Sequence, residues 1–342
     1  MANKKYTFID LFAGCGGLSE GFMESGHFKS LAHVEWELPM VQTLRHRLVQ
    51  KWNVTEKEAK EKVVLFDIQK TEELINGNWS EESIKQYKEN NSPEAQKGLR
   101  YIIGDNCVDL IIGGPPCQAY SIHGRATDKN SMKDDYRNYL FESFVKVVDA
   151  FKPKAFIFEN VTGMLSAKPG GELVVERIYK AFSEIGYIVL QPNDFKKSVY
   201  DANDFGVPQK RERVILLGLR KDQKITLSEF YGQLENLKCK KHLTVRDAIA
   251  DLPPIFPLEH VDKVKGKNVS HKAVDESDPF HMPRHCSARD ISMIREWIGA
   301  DMNKCSQKEA IAFYKKITGK DTLYRKYRNL EWDKPSPTVV AH

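Results

Sequence analysis

The sequence predicts an α/β protein, a mostly parallel sheet with helices on both faces, followed by a smaller segment of mixed structure. Three observations predict it. Short apolar runs recur, among them Tyr6 to Leu11, Leu31 to Val34, Val63 to Phe66, Val108 to Ile112 and Ala155 to Phe158, and each empties into glycine, proline or a carboxylate. Helical stretches separate them, at about 16–25, 38–52, 139–151 and 172–185, so strands alternate with helices as in doubly covered sheets. After a last apolar run, Val214 to Leu219, this alternation stops at about residue 220.

The first run leads into Gly14, Gly16 and Gly17 and then a helix. Glycines there let backbone approach a ligand, and the helix N-terminus favours an electronegative group. Glu35 follows Gly14 by 21 positions at the end of the second run, where a ribose diol could be held. This fingerprint fits NAD, FAD or S-adenosylmethionine, and equally a tight turn without a ligand. Asp67 closes the third run, placed to accept from an adenine amino group. The stretch 69–98, rich in Glu, Lys, Asn and Ser, reads as a surface insertion with one helix.

The fourth run ends in Gly113-Gly114-Pro115-Pro116-Cys117-Gln118. A strand that stops at Pro-Pro delivers Cys117 to the carboxyl edge of the sheet, where ligands bind in open α/β folds. A free thiol has a pKa near ~8.5, so a few per cent is thiolate at neutral pH, and a positive neighbour raises that share. Taken alone, a cysteine is more often inert and buried. The next run delivers Glu159 to the same edge, and Gln209-Lys-Arg-Glu-Arg213 precedes the last run. Arg211 and Arg213, two apart, would point the same way on an extended backbone. Singly, Glu159 also fits a structural ion pair, and the arginines a surface or phosphate-binding pair.

Together and in this order, Phe12-Ala13-Gly14-Cys15-Gly16-Gly17, Gly114-Pro115-Pro116-Cys117-Gln118, Glu159-Asn160-Val161 and Gln209-Lys-Arg-Glu-Arg213 resemble motifs I, IV, VI and VIII of the DNA cytosine-5 methyltransferase family. Arg328 with Trp332-Asp-Lys-Pro-Ser-Pro-Thr-Val339 resembles its motif IX, so the resemblance spans nearly the whole chain. It implies a Rossmann-like sheet that binds S-adenosylmethionine and releases S-adenosylhomocysteine, with no metal. Phe12, Ala13, Gly14, Gly16, Gly17, Glu35, Trp36, Asp67, Ile68, Pro116 and Leu140 match its donor-contacting positions. Cys117 is then the nucleophile that adds to C6 of a flipped cytosine, since C5 alone is too weak a nucleophile to take a methyl group. Glu159 would serve N3 and the exocyclic amine from a pocket in which its pKa can rise, Arg213 would hold O2, and Arg211 would support the site. Flipping costs on the order of a few kcal/mol of unstacking. The polar stretch 119–138 is the family's active-site loop, with Ser121 and Arg125 as candidates for touching double-stranded DNA.

Composition agrees with a two-domain soluble chain of 342 residues, 41% apolar. A net charge of +5 and pI near 8.7 are compatible with nucleic acid without indicating it. Six cysteines with no CxxC pair read as reduced and cytosolic, and no signal peptide or apolar run near 18 residues points to secretion or a membrane. Cys239, His242, His281, His285 and Cys286 fit no common zinc spacing.

The expected organisation is a catalytic domain over 1–220, a target recognition domain over 221–327 and a returning motif IX segment over 328–342. Basic clusters Lys238-Cys-Lys-Lys-His242 and Lys263-Val-Lys-Gly-Lys267 would contact phosphates, whereas a helix over 287–298 would serve packing. The chain ends before a recognisable motif X, so either it is truncated or a second polypeptide supplies that segment. A sequence-specific DNA enzyme of bacterial or phage restriction-modification type, acting in the cytoplasm, leads. A tRNA-methylating relative and a catalytically impaired DNA-binding protein stand as alternatives.

Overall fold

The computed structural model describes residues 4–116, 140–264, 266–273, 281, 285–322, 325, 327 and 329–339. The chain divides into two compact units, Met1–Tyr200 with Glu212–Leu237, and Asp201–Arg211 with Lys238–His342.

The sheet lies in the first unit, apart from Asp201 at the end of β7: β1 (Tyr6–Leu11), β2 (Phe28–Glu35), β3 (Val63–Leu65), β4 (Leu110–Gly113), β5 (Ala155–Asn160), β6 (Tyr187–Ile188), β7 (Val199–Asp201) and β8 (Glu212–Arg220). Its spatial order is β3-β2-β1-β4-β5-β8-β6, with β7 paired to β8. Strands β1 to β5 pair in parallel, and β8 runs antiparallel to β5 and β6. The first five strands therefore present their carboxyl ends along one edge, and the chain reverses direction of winding between β1 and β4. Ligands bind at such a switch point.

Among the described residues the helices of this unit are α1 (Gly17–Glu24), α2 (Leu38–Trp52), α3 (Glu56–Lys62), α4 (Thr71–Asn76), α5 (Glu81–Tyr87), α6 (Leu99–Ile103), α7 (Leu140–Phe151), α8 (Val174–Glu184) and α9 (Leu227–Asn236). Alternation along the strands sorts side chains to the two faces. Phe8, Leu110 and Ile112 pack with Leu18 and Phe22 of α1 on one face. Ile9, Leu11, Ile111, Phe156 and Phe158 face the other, with Val41, Leu44 and Leu48 of α2, Phe144 of α7 and Phe182 of α8. Phe156 and Phe182 stack at 4.0 Å between centroids, and Phe144 meets Phe158 edge-on at 5.4 Å. Each such ring removed from water contributes roughly 1.5–3 kcal/mol. Helix α2 forms because Pro39 suits a first turn and apolar residues recur at helical spacing, and it stops at Asn53 in the left-handed region.

The stretch 69–98 differs from its polar composition. It folds into α4 and α5 and buries Leu74, Ile75, Trp79, Tyr87 and Ala95. Two aromatic anchors supply the burial that the surrounding Glu and Lys residues conceal.

The second unit contains the antiparallel hairpin of β9 (Ile255–Val264) and β10 (Lys267–Ala273), with α10 (Val245–Ile249), α11 (Ala288–Gly299) and α12 (Gln307–Thr318). Trp297 of α11 packs edge-on against Phe313 of α12. The division between units falls elsewhere than residue 220. Helix α9 stays with the sheet because the Leu217 N–H donates to the Tyr231 hydroxyl at 3.1 Å. Residues 201–211 join the second unit, where the Asn203 amide donates to the Leu243 carbonyl and the Cys239 N–H to that of Asp204.

Candidate active site

A cavity of about 540 Å³ opens at the carboxyl ends of β1 to β4. Of the residues expected to hold a cofactor, Phe12, Gly14, Glu35, Trp36, Asp67, Ile68, Pro116 and Leu140 line it. Ala13, Gly16 and Gly17 are not among its lining residues. The Ala13 N–H donates to Val34, tying the turn to β2. Gly16 has φ +87°, and a Cβ there would meet Leu44 Cδ1 at 2.6 Å. The left-handed backbone where the turn enters α1 is what calls for glycine there. Phe12, at φ 58°, is a non-glycine residue in the left-handed region, a strained backbone of the kind that clusters at ligand sites.

Glu35 has its carboxylate engaged three ways. Oε2 accepts from the Gly14 N–H at 2.8 Å, and Oε1 from the N–H groups of Trp36 and Glu37, each at 2.9 Å. The side chain locks the glycine turn to the exit of β2. A carboxylate has about four lone-pair sites, so a free one remains for a diol. Asp67 Oδ1 accepts from Gln69 N–H at 2.9 Å. Two carboxylates, the rings of Phe12, Trp36 and Phe66, and apolar Ile68 and Leu140 suit a ligand with a flat ring, a diol and a positive charge. The volume lies in the usual range of about 300–1,000 Å³.

Beneath the glycine turn lies a buried polar network that the sequence reading missed. The Ser19 hydroxyl of α1 donates to Asp10 of β1 and lies 3.1 Å from His33 Nδ1 of β2. Burial pushes Asp10 up to about 7 and His33 down to about 3, so both favour their neutral forms. Asp10, with its folded pKa above its unfolded one, loses stability as pH rises from about 4 through 7. Asp10→Asn is therefore expected to raise the melting temperature relative to the parent at pH 8 and to lose that advantage near pH 4. A thermal melt at the two values checks this, and an equal shift at both would show that ionisation plays no part.

The carboxylate of Glu159 is held between two strands. Glu159, at the end of β5, pairs with Arg213 of β8, Oε1 to Nε at 2.9 Å, both side chains about a quarter exposed or less. A Cβ on Gly114 would lie 2.8 Å from Glu159 Oε2, so the glycine makes room for the carboxylate. Asn160 is buried, its Oδ1 accepting from Val161 N–H and its amide reaching the Pro115 carbonyl at 3.5 Å. Gly114 and Pro116 also line the cavity, so this loop borders both groups. Arg211 precedes β8 in the second unit, where its N–H donates to Asp201 Oδ1 at 2.9 Å. Cys117, Ser121, Arg125 and Arg328 lie outside the described residues. Gly114 and Phe66 line the cavity and Asn160 ties β5 to the Pro115 carbonyl, contacts that the sequence signals only by adjacency to Pro-Pro, Asp67 and Glu159.

Among the described residues no group of three or more His, Cys, Asp or Glu is placed to hold a metal ion, and no helix is long and apolar enough to cross a membrane.

Comparison with known proteins adds four findings. The family model for C-5 cytosine-specific DNA methylases matches residues 6–78 and 64–338. Type II methyltransferase M.Bpa9945I of Bacillus paralicheniformis is 37% identical over 302 residues, 80% of this chain and 66% of that protein. M.DdeI of Desulfomicrobium norvegicum is 32% identical over 250 residues, 73% of this chain and 49% of that one. The matched stretch thus spans about half to two thirds of these relatives. A solved structure described as a DNA modification methyltransferase encoded within an E. coli prophage superimposes with a TM-score of 0.53 at 23% identity, covering 98% of this chain and 82% of that one, a likeness of fold.

Proposed function

This chain belongs to the C-5 cytosine-specific DNA methylase family, and from that membership we propose that it methylates C5 of cytosine within a specific sequence of double-stranded DNA. The carrying observation is the Glu159–Arg213 pair seated on Gly114, in the same loop that walls the 540 Å³ cavity. S-adenosylmethionine, when bound in that cavity, supplies an electrophilic methyl group. Glu35 and Asp67 would hold its polar groups, and Phe12, Trp36 and Ile68 its apolar faces.

Cys117, next after Pro116 in the chain, is the nucleophile of this reading. Its thiolate forms a bond to C6 of the flipped cytosine, and the electron pair released from the C5–C6 double bond makes C5 nucleophilic. Glu159 hydrogen-bonds the N3 edge and delivers a proton as charge builds there, while accepting from the exocyclic amine, which selects cytosine. Arg213 stabilises negative charge at O2. Once C5 carries the methyl group, its proton leaves to water, the electron pair reforms the C5–C6 double bond as the C6–S bond breaks, the N3 proton returns to Glu159 and Cys117 is regenerated. Arg211 supports this arrangement from the segment before β8, and Ser121 and Arg125 are the candidates for touching the DNA. The second unit carries target recognition, in keeping with its basic clusters at 238–242 and 263–267. The type II relatives favour a restriction-modification role in the bacterial cytosol.

The test is transfer of tritiated methyl from S-adenosylmethionine to bacterial duplex DNA and to tRNA, followed by bisulfite sequencing of the DNA. Label at C5 of cytosines in one short sequence is expected. Label confined to tRNA would overturn the substrate, and stable DNA binding without label would favour a protein that has lost catalysis.

A further inference from the structure

Strand β3 is only three residues long and stands at the open edge of the sheet. Its inner side is satisfied by β2, since the N–H of Phe66, the next residue, donates to the Glu35 carbonyl at 3.0 Å. The outward peptide groups of Leu65 find a substitute for a neighbouring strand. The Leu65 N–H donates to Asn91 Oδ1 and the Asn91 amide donates back to the Leu65 carbonyl, both at 2.9 Å. This is the two-point pairing that a further strand would make, supplied by one side chain. Asn91 is 4% exposed and gives its second amide hydrogen to the Tyr87 carbonyl at 2.9 Å.

The same segment grips the next residue. Trp79 stacks on Phe66 at 4.5 Å and Tyr87 lies 4.8 Å from it. Arg45 of α2 completes the attachment, donating to the carbonyls of Asn90 at 2.8 Å and Val63 at 2.5 Å. Phe66, Asp67, Ile68 and Gln69 then line the cavity. A strand with so short a ladder has few bonds of its own to hold that turn, so its position depends on these ties.

We infer that Asn91, backed by the Trp79 and Tyr87 rings, is a positioning residue for the methyl donor, holding the Leu65–Asp67 turn in its binding geometry. The segment 69–98 is on this account part of the cofactor site and takes no part in reading DNA. The inference rests on the proposed use of the cavity for S-adenosylmethionine.

Asn91→Leu keeps the size and removes both bonds to Leu65 together with the one to the Tyr87 carbonyl. In the ligand-free protein, hydrogen exchange at the Leu65 amide is expected to quicken at least about tenfold, because its acceptor is gone. Calorimetry should show S-adenosylmethionine affinity falling about tenfold, the worth of one or two hydrogen bonds. KM for the donor should rise with kcat at saturating donor nearly unchanged, and duplex affinity in a gel shift should stay as in the parent. Trp79→Phe, which preserves a stacked ring, should bind the donor nearly as the parent does. If Asn91→Leu is unfolded in a thermal melt, Asn91→Asp, which removes the donating amide but keeps an acceptor for the Leu65 N–H, is read on donor affinity and KM alone. Unchanged donor affinity in a folded variant, or a loss that falls on DNA binding instead, would overturn the inference. A parent protein that binds no S-adenosylmethionine, with its Leu65 amide still protected through Asn91, would instead sink the reading of the cavity.

Discussion

Cys117→Ser is expected to abolish methyl transfer while leaving duplex binding within about twofold of the parent. Covalent catalysis at C6 requires a nucleophile that is partly ionised at neutral pH and tolerates an sp² carbon as its target. A thiol with a pKa near ~8.5 meets this, with a few per cent thiolate before any help from neighbours. A serine hydroxyl has no alkoxide population of that order, and a single oxygen for sulfur hardly alters the surface offered to DNA. The companion measurement is trapping. Duplex DNA carrying 5-fluorocytosine has no C5 proton to lose, so the parent should remain bonded to it and migrate as a shifted band on a denaturing gel, whereas the serine variant should not. Turnover by the variant at a tenth of the parental rate or more would remove Cys117 from the mechanism.

The second large effect is at Glu159. Glutamine has nearly the same shape and keeps an oxygen for Arg213 Nε, which lies 2.9 Å from the carboxylate, so the fold of the β5–β8 edge should survive. It carries no proton to give to N3. Single-turnover methylation is therefore expected to slow by about 10² to 10⁴, the usual range for loss of general acid catalysis. The affinity for S-adenosylmethionine should stay near parental, since Glu159 does not line the cavity. An unchanged single-turnover rate would make Glu159 a structural partner of Arg213 and leave protonation of the base to another group.

Much of this site could be read along the chain because its chemistry sits at strand ends. Apolar runs mark where strands lie, and the residues just past them, Phe12, Glu35, Asp67, Pro116 and Glu159, fall on one edge whenever those strands are parallel. Motif order then adds the identity of the family. The two-residue period also assigns Phe8 and Ile9 to opposite faces without knowledge of their neighbours.

Partnerships between distant segments were not legible in this way. That β8 runs antiparallel to β5 and brings Arg213 onto Glu159 depends on a register between strands far apart in sequence. The threefold engagement of Glu35 needs the glycine turn and the exit of β2 to meet, and the Asp10–Ser19–His33 network needs three elements to converge in the core. The stretch 69–98 shows the limit most plainly. Its composition is that of solvent-exposed chain, yet Trp79, Tyr87 and Asn91 insert into the edge of the sheet. Local pattern therefore settles which residues a strand or helix presents and to which side, because steric preference and side-chain period act over a few residues. Which groups finally meet is decided by packing and hydrogen-bond completion over the whole unit, where a few buried anchors outweigh an average composition.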